Sequence, residues 1–451
     1  MRIIVVGCGK VGETITEQLI KEGHDISVVD NDPDVVEDIT NNLDVLGVVG
    51  NGASHEVLLE AGLEQADLLI AVTDQDELNL LCCLIGKKAG GCRTIARVRN
   101  PVYNKEIDVI KEELGLSLTI NPEFAAAREM SRILRLPSAI KVDTFAKGRV
   151  ELLKVRIPEG SVLDGCPLME INARTRSEVL VCAVERGDEV IIPNGRFVLA
   201  AGDKISIVAS ADNGKIFFSR IGVDMHRVRN CLIVGGGTIA YYLAMMLEKA
   251  GIAVTIIEKD KERCEELSEL LENTVIICGD ATDKKILIEE GLPTADSFVT
   301  LTGIDEANIF MSLYARSCSK AKLITKVNRI NFDEIMGAFD LDTIIHPKKI
   351  TAEIIVTYVR AVQNSMGSNI ETLYDIIEDK VEAMEFIMRG DTKATGIPLA
   401  QLPTRDNVLI ACISRGRQII IPNGQTVIQE GDSVIVVTTQ QGVQDFSDLL
   451  K

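Results

Sequence analysis

The stretch MRIIVVGCGKVGETI (residues 1–15) decides the fold. Its Ile/Val run at 2–6 reads as a buried strand, glycines interrupt it, and the chain restarts as a helix. Gly7-x-Gly9-x-x-Gly12 sits at that break, and Asp30 closes the next predicted strand. In this order Gly7 permits a tight turn, Gly9 lets the backbone approach a pyrophosphate, and Gly12 brings helix and strand close. The helix then turns its free amides and positive end toward phosphates. Asp30 is placed to accept hydrogen bonds from an adenosine ribose.

A second stretch, RNCLIVGGGTIAYYL (residues 229–243), repeats the arrangement as Gly235-x-Gly237-x-x-Ala240, with Glu258 at the strand end. Ala240 is tolerated because that position governs helix packing more than phosphate approach. Gly7 and Gly235 are 235 − 7 = 228 apart, as are Asp30 and Glu258. From GNGASHEVLLEAGL (residues 50–63) and GDATDKKILIEEGL (residues 279–292) onward the offset is 229. It holds through VLVCAVERGDEVIIPNGRFVLAAGD (residues 179–203) and VLIACISRGRQIIIPNGQTVIQEGD (residues 408–432). The repeating unit is therefore a pair of domains, in the order A-B-A-B.

In the first A unit, strand-like runs at 2–6, 26–30, 45–49, 68–72 and 94–98 alternate with helical ones. Apolar strands separated by helices predict a parallel sheet covered on both faces. The B units carry short alternating strands punctuated by RG, PNG and GD, which predicts small, β-rich α+β modules. The fold expected is α/β: two Rossmann-like doubly wound domains, each followed by a small β-rich domain. Helices are expected from Pro122 and Pro347, since proline suits a first helical turn.

Several other residues sit where ligands of open α/β sheets bind. Thr73 and Asp74 follow the fourth strand, and Thr302 and Gly303 are their counterparts. Asp76, Glu77 and Asn79 recur as Asp305, Glu306 and Asn308, and the acids among them read as caps and dipole partners of a first helical turn. Arg97 and Arg99, two apart, are expected on one strand face, where they could grip a diphosphate. Lys326 and Asn328 stand there in the second copy, a weaker anion grip. Carboxylates at both strand ends, without an adjacent arginine, favour a free ribose hydroxyl over a 2′-phosphate; NAD, NADH, ATP and ADP all present one.

The totals narrow the partners. At 451 residues the chain is long enough for about three or four domains. It is 46% hydrophobic and 25% charged, with a net charge of −19. Such an acidic chain lacks the attraction to phosphate backbone and anionic lipid, which argues against nucleic acid. Solubility and an acidic docking face both fit the charge. No apolar run approaches the ~18 residues of a membrane span, and no signal peptide is expected. The 11 cysteines include no C-x-x-C pair and read as reduced core thiols, against a disulfide or zinc framework. The four histidines, His24, His55, His226 and His346, do not recur between copies. No Walker lysine, G-x-S-x-G or metal-spaced cluster is present. Arg186-Gly187 and Arg415-Gly416 read as hairpin turns rather than anion sites. These are nucleotide sites without a reaction centre.

Together the glycine loops, strand-end acids, GNGAS and GDAT segments, trailing arginines and duplicated domain order resemble the Trk potassium-uptake regulatory subunits. The resemblance covers nearly the whole chain. It implies domains at 1–138, 139–222, 226–366 and 367–451, alternating between nucleotide-binding and small regulatory types. It further implies phosphate loops at 7–11, with Cys8, Lys10 and Val11, and at 235–239, with Gly236, Thr238 and Ile239. Asp30 and Glu258 become the ribose acids and Arg97 or Arg99 the phosphate-side base. Asn51, Gly52, Asp280, Ala281 and Lys326 complete the implied sites. The resemblance also implies a non-enzymatic homotetrameric ring in the cytoplasm, peripheral to the membrane and gating an integral potassium-translocating subunit. An NAD-dependent dehydrogenase whose B domains bind substrate, and a scaffold without a membrane partner, are the alternatives.

Overall fold

The computed structural model describes the chain apart from residues 102, 104–108, 110, 112, 136–140, 146–149, 188, 223–227, 330–340, 342, 366–369, 378–379, 391–393, 417, 441–442 and 444. Two compact units emerge: Met1–Ser131 with Asn230–Val356, and Arg132–Arg229 with Thr357–Lys451. The expected domain junctions at 138/139 and 366/367, the start at 226, and His226 lie outside the described residues.

In chain order the first half begins β1 (Arg2–Val6), α1 (Lys10–Lys21), β2 (Asp25–Asp30), α2 (Pro33–Asn42), β3 (Leu46–Val49), α3 (His55–Glu60) and β4 (Leu68–Ala71). It continues α4 (Asp76–Ile85), β5 (Arg93–Arg97), β6 (Leu118–Ile120) and α5 (Pro122–Arg135). The six strands form one parallel sheet, ordered β3-β2-β1-β4-β5-β6. Every residue of β4 is buried, as is β1 after Arg2, so both faces of the sheet need helices over them. Strand order reverses between β1 and β4, which opens a crevice beyond their carboxyl ends. The sequence predicts five strands; β6 is the addition, and three residues are too few to display a period.

The small domain follows with β7 (Lys141–Phe145), β8 (Val150–Arg156), α6 (Ile171–Thr175), β9 (Val179–Arg186), β10 (Glu189–Ile191), β11 (Lys204–Ala209) and α7 (Ala211–Arg220). Its sheet is antiparallel, ordered β10-β9-β11-β8-β7.

The second half repeats both. A parallel sheet, β14-β13-β12-β15-β16-β17, is built from β12 (Asn230–Val234), β13 (Ala253–Glu258), β14 (Thr274–Cys278), β15 (Ser297–Thr300), β16 (Lys322–Lys326) and β17 (Thr343–Ile345). Its helices are α8 (Thr238–Lys249), α9 (Lys261–Leu270), α10 (Lys284–Glu289), α11 (Asp305–Cys318) and α12 (Pro347–Ser365). The last sheet contains β18 (Ile370–Ile377), β19 (Val381–Ile387), β20 (Val408–Arg415), β21 (Gln418–Ile420) and β22 (Ser433–Thr438). Its order, β18-β19-β22-β20-β21, matches that of the first small sheet.

The duplication extends to irregularities. The β9–β11 ladder slips at Cys182 and the β20–β22 ladder slips at Ala411, which is 182 + 229. Within the second unit the two small sheets share a core: Val150, Leu152, Cys182 and Val208 pack with Val381, Ala383, Cys412 and Val437. Among the described residues no helix is long and apolar enough to cross a membrane.

Candidate functional site

At the switch point of the first parallel sheet lies a cavity of about 680 Å³. Its lining brings together Gly7, Gly9, Lys10 and Val11, the acid Asp30, Asn51 and Gly52, Thr73 and Asp74, and Arg97. The volume falls in the usual range for small-molecule sites. Sequence reading reached all of these; Asn31, Gln75 and Leu78 also line it and carry no motif that would have flagged them.

Gly7, Gly12 and Gly52 each have a steric reason within the protein. Gly7 has φ +97°, and a Cβ there would lie 2.8 Å from the Thr73 amide nitrogen. At Gly12 a Cβ would come within 1.9 Å of the Gly7 carbonyl oxygen, so helix α1 rests directly on the turn. Gly9, the residue before α1, is different: nothing lies within 4 Å of its Cβ position. The protein itself does not require glycine at that point, whereas a pyrophosphate laid on the backbone does. A Cβ on Gly52 would strike Val6 at 2.2 Å, so this glycine serves packing between loop and strand.

Asp30 works on the loop as well as facing the cavity. One carboxylate oxygen accepts the Cys8 amide at 2.7 Å, the other the Asp32 amide at 3.1 Å. A carboxylate has about four acceptor directions, so capacity for ribose hydroxyls is left. The Cys8 thiol is pushed up to about 12 by burial and then by Asp30, and is inert as a nucleophile.

Beyond β4, Asn79 organises the wall. Its side-chain oxygen accepts both the Thr73 amide (2.8 Å) and the Thr73 hydroxyl (2.7 Å), and its amide donates to the carbonyls of Thr73 and Arg97. Asn79 is fully buried, and Asn308 repeats the set with Thr302 and Lys326. The sequence showed the recurrence of Asn79 without a role for it; it is a positioning residue. Asp76, expected to cap, makes no cap bond at the start of α4; it accepts the amides of Arg99 and Asn100 at 2.8 and 2.7 Å instead.

That grip corrects the expected arginine pair. β5 ends at Arg97, and Asp76 draws the following backbone away, so Arg99 is not on the strand. Its guanidinium donates to the Asp74 carbonyl, and Arg99 is not among the cavity residues. Arg97 alone faces the cavity. It is 13% exposed, donates to the Thr73 carbonyl at 3.4 Å and pairs with Glu123 at 3.8 Å. Burial lowers its pKa from the usual arginine value, with Glu123 opposing. Glu123, in the first turn of α5, carried no signal in the sequence beyond following Asn121-Pro122.

The second copy keeps the frame and changes the polar groups. Gly235 has φ +95°, Gly237 has open space at its Cβ position, and Ala240 is fully buried in the place of Gly12. Thr238 and Ile239 open α8. Glu258 accepts the Gly236 amide at 2.5 Å and the amides of Lys259 and Asp260 at 2.7 and 2.9 Å. Asp280, the counterpart of Asn51, is held below the usual carboxylate range by the Thr282 amide and hydroxyl. Ala281 is buried. Lys326, expected to face an anion, instead donates to the Leu301 carbonyl at 3.1 Å. Burial lowers its pKa, which Asp305 and Glu123 partly oppose. Arg263 adds a feature without a counterpart, since Val35 stands at 263 − 228; its Nε donates to the Gly236 carbonyl at 2.7 Å.

The two parallel-sheet domains meet around their glycine-loop helices. Tyr242 of α8 accepts from Asn121 at 3.1 Å, and its ring meets Phe124 edge-on at 5.3 Å. Reciprocally, Lys348 at the start of α12 feels the charges of Lys10 and Glu13 on α1. Away from these sites, His24 is buried near the N-terminal amine, and no group of three metal-ligating side chains occurs among the described residues.

Comparison with known proteins agrees with this geometry. The TrkA-N domain model matches residues 3–122 and 231–347, and the TrkA-C domain model matches 152–222 and 384–451. A Trk system potassium uptake protein TrkA homolog from Archaeoglobus fulgidus is 33% identical over 451 residues, covering 100% of both chains. Among solved structures, the GsuK channel bound to NAD superposes with a TM-score of 0.64 at 18% identity, covering 98% of this chain and 77% of that one. GsuK bound to ADP superposes at 0.52 and 16% identity, covering 79% and 69%.

Proposed function

Since the chain belongs to the TrkA family of potassium-uptake proteins, with its TrkA-N and TrkA-C domains in tandem pairs, we propose that it is the nucleotide-sensing subunit of such a system. Its work is to bind NAD, NADH, ATP or ADP and to gate an integral-membrane potassium-translocating partner from the cytoplasmic face, as a homotetramer. The domains divide at 1–138, 139–222, 226–366 and 367–451. The observation that carries this reading is the first cavity, where glycine loop, Asp30 and Arg97 converge in the order a dinucleotide needs. Asp30 holds the ribose, the amides at the start of α1 hold the phosphates, and Arg97 is the buried cation beside them. The NAD and ADP of the two solved relatives support the choice of ligand.

A nucleotide gates only if it binds one arrangement of the paired domains better than another. Its loop lies on the helix that touches the other copy, so differential contact there biases that equilibrium. The second copy, with Lys326 committed to a carbonyl and Arg263 on the loop, binds anions less strongly or reads a different nucleotide.

Calorimetric titration of NAD, NADH, ATP and ADP into the wild type, Asp30→Ala and Glu258→Ala tests the assignment. Asp30→Ala is expected to weaken one class of sites by at least about tenfold, the loss of a charge-assisted bond of about 1.4 kcal/mol or more, and to spare the other. Unchanged binding in both variants rejects the ribose assignments. Cofactor returned chemically unchanged distinguishes a sensor from a dehydrogenase. Conductance of the partner that ignores NADH and ATP despite binding rejects gating.

A further inference from the structure

Nine of the 11 cysteines are buried, as the sequence leads one to expect of core thiols, and Cys318 is half-buried; Cys278, at the end of β14, is exposed. It stands in register with Glu258 across the β13–β14 ladder. Cys264 of α9 reaches the same point from above the sheet, its thiol 3.3 Å from the Glu258 carbonyl oxygen. Helix α9 packs directly on β14, which brings Cys264 over the strand that ends at Cys278. One thiol is buried and the other open to solvent, and both adjoin the strand-end acid that holds the second glycine loop.

The first copy lacks the pair. Val36 stands at 264 − 228 and Val49 at 278 − 229, with Val49 in the same register opposite Asp30. The shift in offset is an insertion between α9 and β14, so each comparison uses the offset of its own element. The pair is therefore specific to the second site.

We propose that Cys264 and Cys278 form a reversible disulfide that modifies the second glycine-loop domain in response to peroxide. The Cys278 thiol releases its proton and its sulfur attacks one oxygen of the peroxide; the O–O bond breaks, a sulfenic acid forms, and the departing hydroxide takes up the released proton and leaves as one water. The Cys264 sulfur then attacks the Cys278 sulfur. The S–S bond forms, the S–O bond breaks, and the departing hydroxide takes the Cys264 proton as a second water. Two thiols are oxidised by two electrons and one peroxide is reduced to two waters. A dithiol reductant reverses the step by thiol–disulfide exchange. Cys264, pushed up to about 11 by burial first and then by Cys278, is a poor initial nucleophile and is suited to the resolving role.

The disulfide pins α9 to β14 and removes the Cys264 thiol donor from the Glu258 carbonyl. Its effect on nucleotide binding rests on the function proposed above; its formation does not. The full chain is treated with hydrogen peroxide, remaining thiols are blocked, and the digest is mapped by mass spectrometry without reduction. A Cys264–Cys278 cross-linked peptide is expected in the wild type, lost on reduction and absent from Cys264→Ser and Cys278→Ser. Cys278 trapped as sulfenic or sulfinic acid, with Cys264 still alkylatable, overturns the proposal. In parallel, oxidised and reduced wild type are titrated with ADP. A several-fold change in one class of sites, absent in Cys278→Ser, is expected. A disulfide that forms and leaves ADP binding unchanged overturns the regulatory role, while no ADP binding in either state counts against the nucleotide reading instead.

Discussion

Gly7 and Gly9 are separated by one residue and obey different constraints. At Gly7 the backbone is left-handed and a Cβ collides with the Thr73 amide, so alanine there strains the folded protein. Gly7→Ala is expected to cost about 2 kcal/mol or more, seen as a lower urea midpoint with unchanged slope. Gly9 has φ −64° and open space at its Cβ position. Gly9→Ala should therefore leave stability within about 0.5 kcal/mol of wild type. Its methyl instead stands where a pyrophosphate would approach, so NAD titration should show weakened binding. A Gly9→Ala variant that binds as wild type does would move the phosphates away from this loop. The same contrast separates what the sequence could reveal from what it could not. Glycine spacing and the strand-end acids follow from local backbone geometry, which a single chain displays. Arg97 over Arg99 was not legible, because the choice depends on Asp76, 23 positions before Arg99, pulling the backbone off the strand.

Among the elements, the hairpins of the small domains show how a turn motif is held. Arg186 donates through Nε and Nη2 to both oxygens of Asp203, at 2.8 and 2.7 Å, and Nη2 also reaches the Val198 carbonyl. Arg415, Asp432 and Val427 repeat this. The Arg-Gly turns are thus structural, as their sequence suggested, but their partners lie 17 residues on and carry no local signature. Burial raises the Asp203 pKa, while Arg186 and the Ala200 amide lower it further, so it ends below the usual aspartate value. A carboxylate with a depressed folded pKa stabilises the fold above its unfolded pKa, and that contribution is lost as pH falls through the folded one. Asp203→Asn is expected to cost about 2 kcal/mol at pH 7. The difference from wild type should shrink steadily below about pH 4, the ordinary aspartate range. Urea denaturation at a series of pH values measures it; a gap independent of pH would mean that Asp203 acts through packing alone.

Across the whole molecule, duplication explains why domain order was legible while the pairing of copies was not. An offset of 228 or 229 is visible to inspection, down to slips at Cys182 and Ala411 that only the ladders reveal. Nothing in a linear pattern says that Phe124 should meet Tyr242: the Tyr242 helix is apolar nearly all round, which calls for burial on every side but does not say against what. That contact has a consequence for coupling. Tyr242 lies on the helix that opens at the second glycine loop, while Asn121 and Phe124 directly precede or begin the helix that carries Glu123, the partner of Arg97. One short run of chain therefore links the wall of the first cavity to the loop helix of the second. Tyr242→Phe removes the hydroxyl but keeps the edge-on ring, and should cost about 1 kcal/mol. Tyr242→Ala removes a side chain that is 2% exposed, and should cost about 3–5 kcal/mol. Denaturation of both variants separates ring packing from hydrogen bonding. Titration of the Phe variant, which retains the fold, then asks whether the two nucleotide sites still influence each other. If Tyr242 transmits the coupling, saturating one class of sites should shift the affinity of the other in the wild type and do so less in Tyr242→Phe. Equal shifts in the two proteins would place the coupling elsewhere on the contact, at Lys348 beside Lys10 and Glu13.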